Sequence, residues 1–108
     1  SVRYLGIDTP EPYRDGEPAC YSLEASERNR ELVAGKTVEL VRDELDRDKY
    51  DRLLRYIYLD DVFINEVLVA EGYADTLNIP PNSAKAEVLA RAKQQAITQN
   101  LGLWSECE

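Results

Sequence analysis

The sequence predicts an α+β domain, and the order of its segments is the main reason. Short segments with the alternation of a strand come first along the chain, and segments of helical composition are mixed with strands afterwards. A doubly wound parallel sheet would instead show regular alternation of strands and helices. The chain has 108 residues, which suits one domain with a single core, and no repeat or linker divides it.

The first part of the chain predicts a strand, a loop and a helix. Val2–Ile7 is rich in strand-forming residues, with Gly6 closing the strand, and Asp8–Gly16 contains two prolines and an Asp-Gly turn. Ser22 is predicted as the N-cap of a helix over about Leu23–Ala34, because serine side chains satisfy free N–H groups at helix starts.

The second part of the chain predicts further strands and then two helices. Three segments have strand character: Thr37–Val41, Leu53–Leu59 and Val62–Ile64. Asn65 is expected to cap a brief helix that ends at Gly72. Residues Ser83–Gln99 have strong helical composition, and Gly102 is expected to end that helix near Trp104.

The composition excludes several classes of function. Acidic residues outnumber basic ones 21 to 13, so the net charge of −8 lacks the basic signature that is usual for nucleic-acid-binding proteins. Histidine is absent, which removes histidine-based acid–base catalysis and most catalytic zinc sites. No apolar run approaches the roughly 18 residues of a membrane span, so no membrane partner is expected.

Two cysteines, Cys20 and Cys107, lie near opposite ends of the chain without a CxxC spacing. They are either two free thiols or one disulfide bond, and the sequence leaves both alternatives open. A bond between them would close nearly the whole chain and would stabilise the fold by on the order of 4–5 kcal/mol in the loop-entropy model.

The first candidate cluster for chemistry follows the first strand. Arg3 precedes two carboxylates, Asp8 and Glu11, in a loop that Pro10 stiffens. Two carboxylates can hold a hard cation such as Ca²⁺, and arginine offers a planar pair of donors to a phosphate group. Taken alone, these residues are more typical of ordinary turn acids at a strand end.

The second candidate cluster is the charged loop Arg42–Arg52. A solvated loop is the usual interpretation of such a run of alternating charges. In the functional interpretation, Lys49, Tyr50 and Arg52 contact a phosphate group. Asp48 would then orient these side chains or balance their charge.

Together, the two clusters and several later motifs resemble the staphylococcal-nuclease-like, or thermonuclease, family. The matches occur in the family's order over essentially all of the chain: Arg3…Gly6-Ile7-Asp8-Thr9-Pro10-Glu11, Tyr21…Glu24-Ala25, Asp48-Lys49-Tyr50-Asp51-Arg52, Leu54…Tyr56-Ile57-Tyr58, Ile64-Asn65-Glu66…Leu68-Val69…Gly72 and Gly102-Leu103-Trp104. The resemblance implies a mostly β, OB-type five-stranded barrel with three helices. The family places further strands before the position of Arg3, so residues 1–108 are interpreted as one domain of this family that lacks its first strands.

The resemblance also implies calcium-dependent hydrolysis of phosphodiester bonds in both DNA and RNA. It assigns Glu11 as the general base, and Arg3 and Arg52 as the arginines that stabilise charge on the scissile phosphate. The remaining assignments are Asp8 and the Thr9 carbonyl as calcium ligands, and Lys49 and Tyr50 as binders of a terminal phosphate.

Four departures from the family pattern keep an alternative open. An early aspartate that supplies another calcium ligand in the family has no counterpart, Asp51 replaces a glycine, and Arg55 occupies a position that is normally small. The tyrosines that stack on a bound nucleotide in the family also have no counterpart around Asn78–Pro81. The alternative is a non-catalytic module of the same fold that binds nucleic acid or a protein. A third interpretation is that a longer parent chain is active whereas these residues alone are inactive.

Two further expectations follow from the resemblance. Self-association is expected if a second copy completes the barrel, since open sheet edges are rarely tolerated. Secretion or a cell-envelope location is also expected, although no signal-like segment precedes the first polar motif.

Overall fold

The computed structural model describes residues 1–11 and 17–107. Within them, six short strands run β1 Val2–Tyr4, β2 Ile7–Asp8, β3 Glu39–Val41, β4 Leu53–Leu59, β5 Val62–Phe63 and β6 Asp75–Thr76. Four helices run α1 Ser22–Val33, α2 Ile64–Ala70, α3 Ala86–Thr98 and α4 Leu103–Glu106. The predicted α+β class is confirmed, whereas the expectation of three helices did not include the short α4.

Strand β4 is the centre of the larger sheet. β1 lies parallel to β4 on one side, and β3 lies antiparallel to it on the other. β5 returns antiparallel to the end of β4, and β2 pairs with β6 in a separate antiparallel sheet. Among the described residues these strands do not close into a barrel, because the larger sheet runs in the open order β1–β4–β3.

The predicted strand Val2–Ile7 is interrupted in the structure. The chain turns at Gly6, which has a φ of +79°, and Ile7 begins the separate strand β2. A Cβ atom at Gly6 would lie 2.4 Å from Cδ1 of Leu89, so close packing against α3 also favours glycine here. The interruption separates Arg3 in the larger sheet from Asp8 in the smaller one.

The core lies between β4 and helices α2 and α3. Its largest fully buried apolar side chains are Ile7, Ile57, Ile64, Leu68, Leu89 and Val69. Burying such side chains contributes roughly 1.5–3 kcal/mol each, so this packing dominates the stability of the fold. The longest described helix, α3, has 13 residues, and no described helix has the length and apolar character needed to cross a membrane.

Two predicted helix caps are wrong. Ser22 is the first residue of α1 and is almost fully buried, while the preceding Tyr21 is left-handed with a φ of 69°. Asn65 lies inside α2, where its amide donates to the carbonyl of Leu5 at 2.8 Å and accepts from the N–H of Ile57 at 2.9 Å. These contacts explain why Asn65 does not cap α2, because its side chain bonds the Ile57 N–H in β4 and the Leu5 carbonyl instead of a free N–H at the helix start.

Other predicted boundaries differ by a few residues. Ile64 starts α2 and does not extend the preceding strand, and β3 is shorter than Thr37–Val41. Residues Ser83–Lys85 precede α3 as a turn that follows the Pro80–Pro81 segment. The strand Leu53–Leu59 is confirmed as predicted.

Cys20 and Cys107 form a disulfide bond, with their Cα atoms 5.9 Å apart. The bond joins the turn before α1 to the residue after α4, and it spans a sequence separation of 87 residues. Of the two alternatives that the sequence left open, the structure contains the bonded one.

Candidate functional site

The first cluster is divided between β1, β2 and the segment that follows. Arg3 lies in β1 opposite Leu54 of β4, and its guanidinium donates to the carbonyl of Tyr4. Asp8 lies at the end of β2 and is exposed to solvent, opposite Asp75 of β6. The predicted loop Asp8–Gly16 is described only as far as Glu11, and residues 12–16 lie outside the described part of the chain.

Thr9 and Glu11 line a cavity between this segment and α1. The cavity has a volume of about 250 Å³ and is lined by Tyr4, Thr9, Pro10, Glu11, Ala25, Ser26, Asn29 and Leu68. The Glu11 carbonyl accepts a hydrogen bond of 3.2 Å from the N–H of Ala19, beside the disulfide. Glu11 itself is exposed, so solvent water can reach it.

Asp8 lines a second cavity, of about 380 Å³, together with Asp75, Trp104 and Cys107. Nζ of Lys93 lies 2.8 Å from Oδ1 of Asp75 and therefore neutralises that carboxylate. Asp8 forms no ion pair with any other residue that the structure describes.

The donors at Asp8 fit calcium in kind, but they are few. The Asp8 carboxylate and the Thr9 carbonyl are oxygen donors, which Ca²⁺ prefers, yet the ion usually takes six to eight oxygen ligands. Within residues 1–11 and 17–107, no group of three or more acidic or cysteine side chains is arranged to hold a metal ion. Water would have to complete much of the coordination shell.

The second cluster is organised around Asp48. Its carboxylate accepts hydrogen bonds from the N–H groups of Tyr50 and Arg52, at 2.9 and 3.0 Å. Oδ2 of Asp48 also accepts from Nε of Arg52 at 2.7 Å. Because Nε is occupied, the two terminal nitrogens of Arg52 form the end of the guanidinium that a phosphate group could approach.

Asp51, which replaces a glycine of the family pattern, adopts a left-handed conformation with a φ of 63°. Its carboxylate is 85% exposed and lies 3.5 Å from Nη1 of Arg47. Arg47 also donates to the Asp51 carbonyl at 3.1 Å. The charge that departs from the family pattern is therefore paired with Arg47.

Tyr50 is the most exposed large hydrophobic side chain of the loop, at 70%. Nζ of Lys49 lies 5.2 Å from the centre of its ring, and Cζ of Arg52 lies 5.5 Å from the same centre. Both distances are within the range of a cation–π contact. The three residues predicted to contact phosphate are therefore grouped around one exposed ring.

Hydrogen bonds favour the charged form of two aspartates in the loop. Burial acts to raise the pKa of Asp48, but hydrogen bonds from the Arg52 and Tyr50 N–H groups and from the Arg52 side chain outweigh it and lower the pKa. A hydrogen bond from Arg55 likewise lowers the pKa of Asp46. Each of these two carboxylates is thus held beside an arginine, Asp48 beside Arg52 and Asp46 beside Arg55.

Parallel pairing of β1 with β4 brings Arg3 near the end of the charged loop. The N–H of Leu53 donates to the carbonyl of Ser1 at 3.0 Å, and Arg3 stands opposite Leu54. Arg52 immediately precedes β4 and lies two positions before Leu54, the partner of Arg3. Glu11 shares a cavity with Tyr4, but successive strand side chains point to opposite faces, so that cavity does not place Glu11 beside Arg3.

Two contacts of the site region were absent from the predictions. The side chain of Asn82 donates to the carbonyl of Leu45 and accepts from its N–H, which ties the charged loop to the segment before α3. Asp75 was also missed as the partner that stands opposite Asp8. Neither has a local sequence signal, because each contact depends on strand and loop pairing across a long sequence separation.

The comparisons with known proteins all indicate one family. The family model described as staphylococcal nuclease homologue matches residues 1–106. Two Bacillus subtilis (strain 168) proteins, SPbeta prophage-derived endonuclease YokF and Endonuclease YncB, are 39% and 38% identical to this chain. Each match covers 98% of this chain, and 37% and 52% of the respective relative.

A thermonuclease from Staphylococcus intermedius is 33% identical over 95% of this chain and 62% of its own length. The chain therefore spans less than two thirds of the length of each of these three relatives.

Proposed function

The chain belongs to the staphylococcal nuclease homologue family, and we propose on that basis that it is a nuclease that hydrolyses phosphodiester bonds of DNA and RNA with the help of calcium. The observation that carries the proposal is that Arg3 lies in β1 while Arg52 immediately precedes β4, the strand paired with β1, and is oriented by Asp48. The names of three relatives, two endonucleases and one thermonuclease, support the same class of activity.

The two arginines are proposed to stabilise the transition state. Attack on a phosphodiester places additional negative charge on the phosphate oxygens, and guanidinium groups can bind two such oxygens at once. Nε of Arg52 is already bound to Asp48, so the guanidinium does not have to reorganise as that charge develops. Removing one preorganised donor of this kind costs about 10²–10³ in rate in a comparable enzyme.

Glu11 is proposed to position and deprotonate the attacking water. It is exposed beside a cavity, where solvent water can reach its carboxylate. General-base catalysis by a positioned side chain contributes about 10²–10⁴ in rate. The absence of histidine is therefore no obstacle to hydrolysis.

Calcium would be held by Asp8 and the Thr9 carbonyl, where it would supply positive charge near the phosphate. The few protein donors lead us to expect weak binding. Isothermal titration that gives submicromolar calcium affinity would contradict this expectation.

Lys49 and Tyr50 are proposed to bind a terminal phosphate of the substrate. The exposed Tyr50 ring between Lys49 and Arg52 offers a hydroxyl and two neighbouring cations to an anion. Local contacts of this kind have to provide most of the affinity, because the net charge of −8 repels polyanions at long range.

A cleavage assay tests the proposal directly. Labelled single-stranded DNA and RNA are incubated with the protein in calcium and in EDTA, and cleavage is expected only in calcium. Glu11→Gln and Arg52→Ala should each lower kcat by about 10²–10³. A matched control is Arg30→Ala, which removes an exposed arginine paired with Glu27 on α1 and should leave the rate unchanged.

The proposal fails if the protein shows no calcium-dependent cleavage, or if both site variants cleave as fast as the control. The second candidate, a non-catalytic binding module, is favoured by the sparse metal donors that the described residues supply around Asp8. It predicts oligonucleotide or protein binding without product, and little heat on calcium titration. Self-association stays a prediction that sedimentation velocity can test.

A further inference from the structure

Arg55 is the least exposed arginine among the described ion pairs, with 14% of its side chain accessible. Its Nη2 lies 2.7 Å from Oδ1 of Asp46. Its Nη1 donates to the carbonyl of Asp46 at 3.1 Å and to the carbonyl of Leu54 at 2.9 Å. One guanidinium therefore binds both the side chain and the backbone of Asp46.

Within the charged loop, residues 46–54 form a tighter turn that carries the proposed phosphate-binding residues, and Asp46 lies at the base of this turn. The Asp46 carbonyl accepts from the N–H of Leu54 at 2.9 Å, so it meets β4 at the point where Arg55 is held. Further along, the N–H of Asp48 donates to the carbonyl of Arg52 at 3.0 Å. The loop is thus closed twice, by Arg55 and Leu54 at its base and by Asp48 at its tip.

We propose that Arg55 is a positioning residue for the nuclease reaction, which fixes the base of the loop through Asp46 and so aims the guanidinium of Arg52 at the phosphate. The inference rests on the proposed function. Arg55 does not contact the substrate itself, because its guanidinium is largely buried and its Nη1 and Nη2 nitrogens bind Asp46 and Leu54.

The expected effect is on the chemical step. Arg52 acts when charge develops on the phosphate, and a displacement of about 1 Å can cost about 10² in rate. Arg55→Met, which keeps length and apolar contact but removes every donor, should therefore lower kcat by about 10². Arg55→Lys can still bind the Asp46 carboxylate but not both carbonyls, so its kcat should lie between that of the wild type and that of Arg55→Met.

The matched control is Arg28→Met. Arg28 binds the Glu71 carboxylate through two nitrogens, at 2.7 and 3.1 Å, and is also partly buried. This pair joins α1 to the end of α2 and does not touch the loop. Equal losses of kcat in the two variants, at similar thermal stability, would overturn the proposal.

A double variant separates positioning from general destabilisation. If Arg55 acts through Arg52, adding Arg55→Met to Arg52→Ala should change kcat by less than about twofold. A further loss as large as that of Arg55→Met alone would overturn the proposal, because it would mean that Arg55 acts independently of Arg52.

A second readout does not require activity. Amide hydrogen exchange should become about tenfold faster at Tyr50 and Arg52 in Arg55→Met, and it should be unchanged there in Arg28→Met. Unchanged exchange at both amides in Arg55→Met would overturn the proposal even in an active enzyme. If the wild-type protein is inactive but the exchange changes as expected, the proposed function fails and the positioning of the loop stands. If Arg55→Met does not fold, Arg55→Lys and Asp46→Asn provide the same comparison.

Discussion

Oδ2 of Asp48 lies 2.7 Å from Nε of Arg52, while Oδ1 of the same carboxylate accepts the N–H of Arg52 at 3.0 Å. One aspartate therefore fixes both the backbone and the side chain of the residue four positions later. The bond at Nε leaves the terminal nitrogens on the opposite side of the guanidinium. The same contact that stabilises the turn also orients the proposed catalytic arginine.

We first predict how the stability supplied by Asp48 depends on pH. Its folded-state pKa is lowered, since the hydrogen bonds from Arg52 and Tyr50 outweigh burial. A carboxylate with a depressed folded pKa stabilises the fold above its ordinary value of about 3.9, and this contribution is lost as pH falls through the folded value. The difference in unfolding free energy between wild type and Asp48→Asn should therefore be constant near neutral pH and shrink in strong acid.

Urea unfolding of both proteins at a series of pH values measures this difference. Asp61→Asn, which alters an exposed carboxylate in the turn between β4 and β5, serves as a comparison for a general effect of charge. If the difference in unfolding free energy grows on acidification, the prediction is wrong.

Local features of the fold could be predicted from the sequence, but contacts between distant segments could not. The strand Leu53–Leu59 was predicted with its bounds because strand-forming residues and turn residues mark it locally. Asn65 was assigned to a helix cap, since nothing nearby indicates that its partner is a carbonyl 60 residues earlier. Likewise, nothing in the sequence around Arg55 identifies Asp46 as its partner, because their contact depends on how the loop is placed against β4.

The same limit applies to the candidate site. Asp48 and Arg52 are close in sequence, so their association could be predicted. The position of Arg3 beside β4 depends on a parallel pairing across about half of the chain, and the pairing of Asp8 with Asp75 spans a similar distance. Such pairings are set by the packing of the whole core and not by local pattern.

The second prediction concerns Asn65, which is fully buried and bonded to Leu5 and Ile57. Asn65→Ala would leave a buried carbonyl and a buried N–H without partners, at about 1–3 kcal/mol each. We therefore expect a loss of about 2–5 kcal/mol in the free energy of unfolding. Urea unfolding with an unchanged m-value measures it.

The control is Asn29→Ala, which removes the half-buried bond of 3.0 Å from the Tyr4 hydroxyl. Tyr4 is partly solvated, so this change should cost about 1 kcal/mol. If Asn65→Ala costs no more than the control, the buried amide contributes little and the prediction is wrong.

The third prediction concerns the charge of Asp51. Its left-handed φ costs roughly 1–2 kcal/mol relative to glycine, but glycine also loses more entropy on folding, by about 0.5–1 kcal/mol. Asp51→Gly should therefore change stability by less than about 1.5 kcal/mol. Removing a negative charge beside Arg52 should lower KM for the anionic substrate, which steady-state cleavage assays measure.

Asp51→Asn separates the two effects, because asparagine removes the charge and also tolerates the left-handed conformation. Both variants should show the lower KM, and the decrease should fade at high salt as the charges are screened. A KM that falls only in Asp51→Gly would attribute the effect to the backbone instead of the charge.

The fourth prediction concerns the bond between Cys20 and Cys107, which closes a loop with a sequence separation of 87 residues. Cross-linking residues so far apart restricts the unfolded chain, and the loop-entropy model gives a stabilisation of about 4–5 kcal/mol. Reduction by a dithiol should lower the free energy of unfolding by that amount and increase the urea m-value, because the reduced unfolded chain exposes more surface. The double variant Cys20→Ser/Cys107→Ser should match the reduced protein and show no response to the dithiol. A reduced protein as stable as the oxidised one would mean that the unfolded chain is already restricted without the bond, and the prediction would fail.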